Sequence, residues 1–146
     1  ITPGITNNPD NIFFAHPSAL DKITGRVCYH GELWLKGGPK GYRGKGFSSV
    51  LPRLAIALSL MEWSPDFIFG FMYPHSVHNG LPGREGYMHC EPGVWQTSDA
   101  RTLSEEWLVW MAREDIERLM LFNPEDLFQN LMMGKNGKGK LAANRI

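Results

Sequence analysis

The run Gly41-Tyr42-Arg43-Gly44-Lys45-Gly46-Phe47-Ser48-Ser49 carries the most readable chemistry in this chain. It precedes a stretch with helical periodicity. A glycine-rich turn there would offer backbone N–H groups without intrahelical acceptors at the positive end of a helix dipole. Such a turn suits a phosphate or pyrophosphate. Two nucleotide motifs fail on it. The G-x-x-x-x-G-K-[S/T] loop would require glycine at Pro39 and a Mg-binding hydroxyl at Gly46. The dinucleotide fingerprint G-x-G-x-x-G meets Ser49 at its third glycine, and no strand with a terminal acid follows at the expected distance. His75, His78, His89 and Cys90 are zinc-type donors, but their spacing matches no standard set and glycines and a proline intervene, so no metal is expected. The histidines could instead line a pocket. Arg84 beside Glu85 could orient a carboxylate-bearing ligand or form a surface ion pair.

The elements around the turn come from periodicity. Residues 1–25 carry Pro3-Gly4, Asn7-Asn8-Pro9 and His16-Pro17-Ser18 and read as irregular, with one short strand near Ile12-Phe13-Phe14. Arg26 to Lys36 reads as a buried strand. Phe47 to Trp63 reads as a helix with Leu51, Leu54, Ala55, Leu58 and Met61 as its apolar face. Pro52 is tolerated early in that helix, and Ser64-Pro65 ends it. Asp66 to Tyr73 reads as a second buried strand. Strand, turn, helix, strand is the unit that pairs strands in parallel through a right-handed crossover. Pro74 to Glu85 reads as a loop, and Gly86 to Cys90 and Val94 to Thr97 as short strands about Glu91-Pro92-Gly93. Ser104 followed by Glu105 and Glu106 looks like an N-cap opening a helix to Phe122 that carries Trp107, Trp110, Met111, Ile116 and Leu119. A short helix from Glu125 to Met132 is expected after Asn123-Pro124, and 134–146 reads as a flexible basic tail.

Composition sets the class. The chain has 146 residues, 42% hydrophobic and 21% charged, enough for one domain with a core. Fifteen basic and fifteen acidic residues balance, which gives no general argument for nucleic acid or an anionic membrane. No apolar run approaches the roughly 20 residues of a membrane span, and no signal peptide is visible. Two cysteines, Cys28 and Cys90, cannot build a disulfide framework. They read as small buried hydrophobes in a reducing, cytoplasmic setting. The chain starts Ile1-Thr2-Pro3, which suggests a trimmed or partial chain.

Tyr42-Arg43-Gly44-Lys45-Gly46-Phe47, between a strand and a helix, resembles the acetyl-CoA-binding motif of the GNAT acyltransferase superfamily. There a loop of the form Arg/Gln-x-x-Gly-x-Gly/Ala joins the fourth strand to the third helix, and its amides take the CoA pyrophosphate. The resemblance covers about residues 26–97 and implies an α+β fold, a mixed central sheet flanked by helices. The domain would span 1–133, with late helices over 104–133. The amides from Gly44 to Ser48, through Lys45, Gly46 and Phe47, would grip the phosphates, with Arg43 and Lys45 beside them. Trp34, Leu35 and Lys36 would lie along the pantetheine arm, and Asp66 to Tyr73 would be the fifth strand, splayed from the fourth. Complete members carry a further half-domain before this motif, more than residues 1–25 can supply. An N-terminal part of the fold is therefore expected to be short or missing.

The activity so implied is transfer of an acyl group from acetyl-CoA or another acyl-CoA to a small-molecule amine. The expected partners include no nucleic acid and no membrane, and a homodimer stays open. Such transfer needs a base for the ammonium and an acid for the departing thiolate. In some members a glutamate on the fourth strand is the base. Here that is Glu32, whose pKa partial burial by Leu33 and Trp34 would raise. The acid would be Tyr73, at the end of the fifth strand, or Tyr87, at the start of the sixth. The looped 79–87 segment also looks like that of divergent members acting on acyl chains, such as N-acyl amino acid synthases. A non-catalytic acyl-CoA-binding or interaction module on the same fold is the alternative.

Overall fold

A computed structural model of the protein describes residues 11–15 and 20–121. Five strands and four helices follow in the order β1 (Ile12–Ala15), β2 (Val27–Tyr29), α1 (Phe47–Trp63), β3 (Phe67–Met72), α2 (Pro74–His78), α3 (Leu81–Glu85), β4 (His89–Thr97), β5 (Thr102–Ala112) and α4 (Arg113–Met120), with one 3-10 turn at Leu20–Lys22. The strands form one mixed sheet in the order β1-β4-β5-β3-β2. Only β2 and β3 are parallel, joined through α1. The other neighbours are antiparallel. The fold class expected from sequence, α+β with a mixed sheet, holds at that level.

β5 is central because it is apolar on both faces. Leu108, Val109, Trp110 and Met111 are all buried, and β3 and β4 pair with it on either side. Val109 and Met111 face α1 and α4 in one core with Ile56, Ile68, Tyr87, Ile116 and Leu119. Leu108 and Trp110 face the other way, into a cluster with Phe14, Ile23, Phe67, Phe69 and Phe71. Each fully buried Ile, Leu, Val or Met contributes roughly 1.5–3 kcal/mol by leaving water. The expected helix over 105–122 is therefore corrected. Thr102–Ala112 is strand, and helix begins only at Arg113. An apolar run cannot by itself tell a doubly buried strand from a helix, and the aromatic and β-branched content of 107–110 suits a pleated, two-sided environment. Ser104 caps nothing; it pairs with Trp95.

Other boundaries shift for local reasons. The strand expected over 26–36 is only Val27–Tyr29, since nothing pairs with the chain after His30 as strand. The expected loop 74–85 holds two one-turn helices, α2 started by Pro74 at its first position and α3 by Pro82 within its first turn. The two strands expected around Glu91-Pro92-Gly93 are one strand, β4, with a single irregularity between Trp95 and Gln96. Helix α1 and strands β1 and β3 lie where the sequence puts them. The buried side of α1, however, is Pro52 and Ile56, with Leu60 partly buried. The expected apolar face carries Leu51, Leu54, Leu58 and Met61, which are exposed, Met61 by 76%. The helix is apolar on both sides, so periodicity marked the wrong one. The helix expected over 125–132 and the tail over 134–146 lie outside the described residues.

The β2–α1–β3 crossover is tied at its base by Asp66. Its carboxylate accepts from the Arg26 amide at 2.8 Å and from the Arg113 guanidinium at 3.2 Å, and those donors hold its pKa below the usual carboxylate value. At the other end, Gly70 lets β2 approach. A Cβ there would collide with the carbonyl oxygen of His30. Gly70→Ala is accordingly expected to lower stability by about 1–3 kcal/mol, the range for overpacked sites, measured by urea unfolding. A neutral effect would show that the approach is not tight.

Candidate active site

The parallel pair β2–β3 is short because the chain turns away. The His30 amide donates to the Phe69 carbonyl at 2.8 Å, the last bond between these strands. β3 runs on to Met72 with β5 alone beside it. Glu32 sits in the left-handed backbone region, at φ 63°, where the chain bends off. Between 31–33 and 71–73 opens a cleft of about 520 Å³, within the range of small-molecule sites. It passes through the sheet. Ser76, Leu81 and Glu85 line it from the α2–α3 side, and Tyr29, Phe71, Trp95 and Glu106 from the aromatic face.

Glu85 is the most perturbed acid in the cleft. It is 5% exposed, at the end of α3. Burial raises its pKa from 4.5 to about 7, with the Arg84 charge opposing. Arg84 itself turns away to donate to the Asn79 carbonyl, so the two neighbours form no ion pair. No hydrogen-bond partner holds the Glu85 carboxyl among the described residues.

His30 guards the neck of the cleft. Its Nδ1 and the Tyr87 hydroxyl lie 2.8 Å apart, with the rings stacked. Burial pushes the imidazole below its ordinary pKa, which keeps it neutral, and pushes the Tyr87 phenol well above its own. With its proton on Nε2 the imidazole accepts a hydrogen bond from the Tyr87 hydroxyl, and with it on Nδ1 it donates one to that hydroxyl. The raised pKa makes Tyr87 a poor proton donor to a ligand in either case. Tyr73 is different: it lines the cleft with 61% of its surface exposed. On the far face Trp95 Nε1 donates to Glu106 at 3.0 Å. Tyr29 lies between carboxylates; burial first, then Glu32 and Glu106, raise its pKa.

The glycine turn follows the cleft along the chain. The amides of Tyr42 and Arg43 both point to the Lys36 carbonyl, at 2.7 and 3.4 Å, and Arg43 Nε donates to the Leu35 carbonyl at 3.3 Å. Lys45 lies over the Tyr42 ring at 5.7 Å. Gly44 and Gly46 take φ 76° and 83°, left-handed values that favour glycine. Gly46 caps α1, which leaves Phe47 and Ser48 in the first turn, where the helix supplies their amides no acceptor. Nothing stands within 4 Å of a Cβ placed on Gly44.

Of the residues singled out by sequence, Glu32 and Tyr73 line the cleft, and Tyr87 reaches its neck through His30. Trp34, Leu35, Lys36 and the turn from Arg43 to Ser48 lie outside the lining. Trp34 and Lys36 are exposed and belong to no strand, and Glu32 is exposed rather than screened by Leu33 and Trp34. His30, Glu85, Glu106 and Trp95 were not foreseen. Glu106 became visible only once 102–112 proved to be strand. Glu85 had one signal, a charge beside Gly86 and Tyr87 at the exit of a short connection. The histidines do not converge. Among the described residues no three metal-type ligands cluster; His75 stacks on Tyr73, His78 meets Trp107, and His89 stacks on Trp110 and bonds Asp115 at 3.0 Å.

The buried carboxyl of Glu85 gives stability a pH dependence of definite sign. Below pH 4.5 folded and unfolded states both hold its proton. Between 4.5 and about 7 only the unfolded state releases it, so the native state loses stability as pH rises. Glu85→Gln should match the parent near pH 4 and exceed it at pH 8 in denaturant unfolding. Equal stability at both pH values would show that the carboxyl is not strained by burial. Comparison of the chain with protein-family models, with curated proteins and with solved structures gives no match.

Proposed function

We propose that the protein is an acyltransferase that moves an acyl group from acyl-CoA to an amine on a GNAT-like fold. The observation that carries this reading is the parting of two parallel strands joined through a glycine turn and a helix. That arrangement offers a slot through the sheet for a thioester-bearing arm and, further along the chain, amides for its pyrophosphate. A parallel pair, β2–β3, joined through a glycine turn and a helix and parting at one end is also what the resemblance implies for the fourth and fifth strands of that fold.

Glu85 has the better poise for the base. A carboxylate with pKa near 7 can take a proton from an ammonium and return it at neutral pH. Glu32, on the rim, contributes negative charge where the amine enters. The neutral amine attacks the thioester carbon. A C–N bond forms, the tetrahedral adduct collapses and the C–S bond breaks. One ammonium proton passes to Glu85 and then to solvent; the second N–H proton ends on the departing thiolate, delivered by Tyr73. Tyr87, bound to His30, holds the neck rather than serving as the acid.

A non-catalytic acyl-CoA-binding module is the second reading. The exposed stripe Leu51, Leu54, Leu58 and Met61 favours it, since such a stripe suits a docked partner.

Titration with acetyl-, octanoyl- and palmitoyl-CoA should show saturable binding of at least one, with Gly44→Asp weakening it by about tenfold or more through charge repulsion. Absence of binding by all three at millimolar concentration would overturn both readings. Free-thiol release in the presence of amines separates them: none, with CoA bound, leaves the binding module. With turnover, kcat should rise through about pH 7 as Glu85 ionises. Glu85→Gln should lose that limb and about 100-fold in rate, the usual scale for a general base. Tyr73→Phe should lower kcat more than it changes KM, and Tyr87→Phe should leave the rate closer to the parent.

A further inference from the structure

The cleft has a one-sided charge. Glu32, Glu85 and Glu106 line it, and among the described residues no lysine or arginine does. The single histidine, His30, is neutral by burial. The described lining therefore offers hydroxyls but no cation to a carboxylate or phosphate on the ligand. The three acids are distributed: Glu85 on the helix side, Glu32 on the rim, Glu106 on the aromatic face. Between the last two lies an aromatic floor. Tyr29 meets Phe71 at 6.4 Å, and Phe71 meets Trp95 at 5.1 Å. Aromatic faces flanked by carboxylates attract organic cations through both charge and the ring quadrupole. Glu85 supplies an independent indication: it lines the cleft, nearly all its surface is buried, and no described group hydrogen-bonds its carboxyl. A buried carboxyl without a partner is costly unless a ligand completes it.

We propose that the amine acceptor is a cationic amine that carries no carboxylate, its apolar or aromatic body lying on Tyr29, Phe71 and Trp95 between Glu32 and Glu106. The proposal rests on the acyltransferase reading for the word acceptor, but the binding preference stands on the cleft alone. It sets the chain apart from enzymes that acylate amino acids, whose acceptor carboxylate would meet three acids here and no cation. A carboxylate placed among them would suffer repulsion without a compensating cation in the described lining, which gives selectivity by exclusion.

The test uses phenethylamine, phenylalanine and 3-phenylpropionate, added to the full chain without acyl-CoA and followed by calorimetry. Phenethylamine should bind saturably. Phenylalanine, which differs only by its carboxylate, should bind at least about tenfold more weakly, and phenylpropionate should not bind. Glu106→Gln keeps an oxygen for Trp95 Nε1 while removing the charge. It should weaken phenethylamine several-fold and narrow its lead over phenylalanine; Glu32→Gln should act in the same direction. Phenylalanine binding as tightly as phenethylamine, no binding of phenethylamine, or no effect of either variant would each overturn the proposal. Because acyl-CoA is absent, amine selectivity without any acyl-CoA binding would sink the acyltransferase reading and leave this site standing.

Discussion

The hydrogen bond from the His30 amide to the Phe69 carbonyl is where this fold decides what it can hold. Up to that bond β2 and β3 are an ordinary parallel pair. Beyond it β3 keeps only one neighbour, and its other edge faces open space. An unpaired edge in the interior of a sheet is expensive in backbone polar groups unless water or a ligand meets them. The fold concentrates that exposure at one place, lines it with side chains capable of chemistry, and holds the neck firmly. Gly70 allows the close approach, and His30 is fixed from the side by Tyr87.

Around this opening the two faces of the sheet do different work. The face under α1 and α4 is a conventional aliphatic core, closed by Ile56, Ile68, Met111 and Ile116. The other face is aromatic, with Phe14, Phe71 and Trp95 in mutual ring contact. The cleft joins the two. Its carboxylates consequently sit in unlike surroundings, one buried at the end of α3 and others at the edge of an aromatic floor. Environment, more than residue type, separates their roles: Glu85 keeps its proton to about pH 7, while Glu32 lies exposed at the rim.

What was legible in the sequence follows from how local each signal is. The glycine turn, α1 and β3 depend on nearby residues and on a clear change of period, and they lie where expected. β5 carries no local mark of a strand because its burial is tertiary. Trp107, Trp110 and Met111 satisfy a helical pattern equally well until β3 and β4 close on both sides. With 105–122 taken as helix, nothing brings Glu106 to the aromatic side of the cleft. Glu32 and Tyr73 could be placed because they flank the strands that part. His30 and Glu85 could not, since their importance comes from a contact with Tyr87 and from burial, which no spacing announces.

The central claim is that the slot between the parted strands receives an acyl-bearing CoA. A crystal structure of the protein with a non-hydrolysable acyl-CoA thioether tests it most directly. The account predicts the pyrophosphate on the amides of Gly44, Gly46, Phe47 and Ser48, the Lys45 amide being taken by the Tyr42 carbonyl, and the acyl carbon between 31–33 and 71–73, within reach of Glu85. A bound cofactor lying elsewhere, with the slot empty, would contradict it.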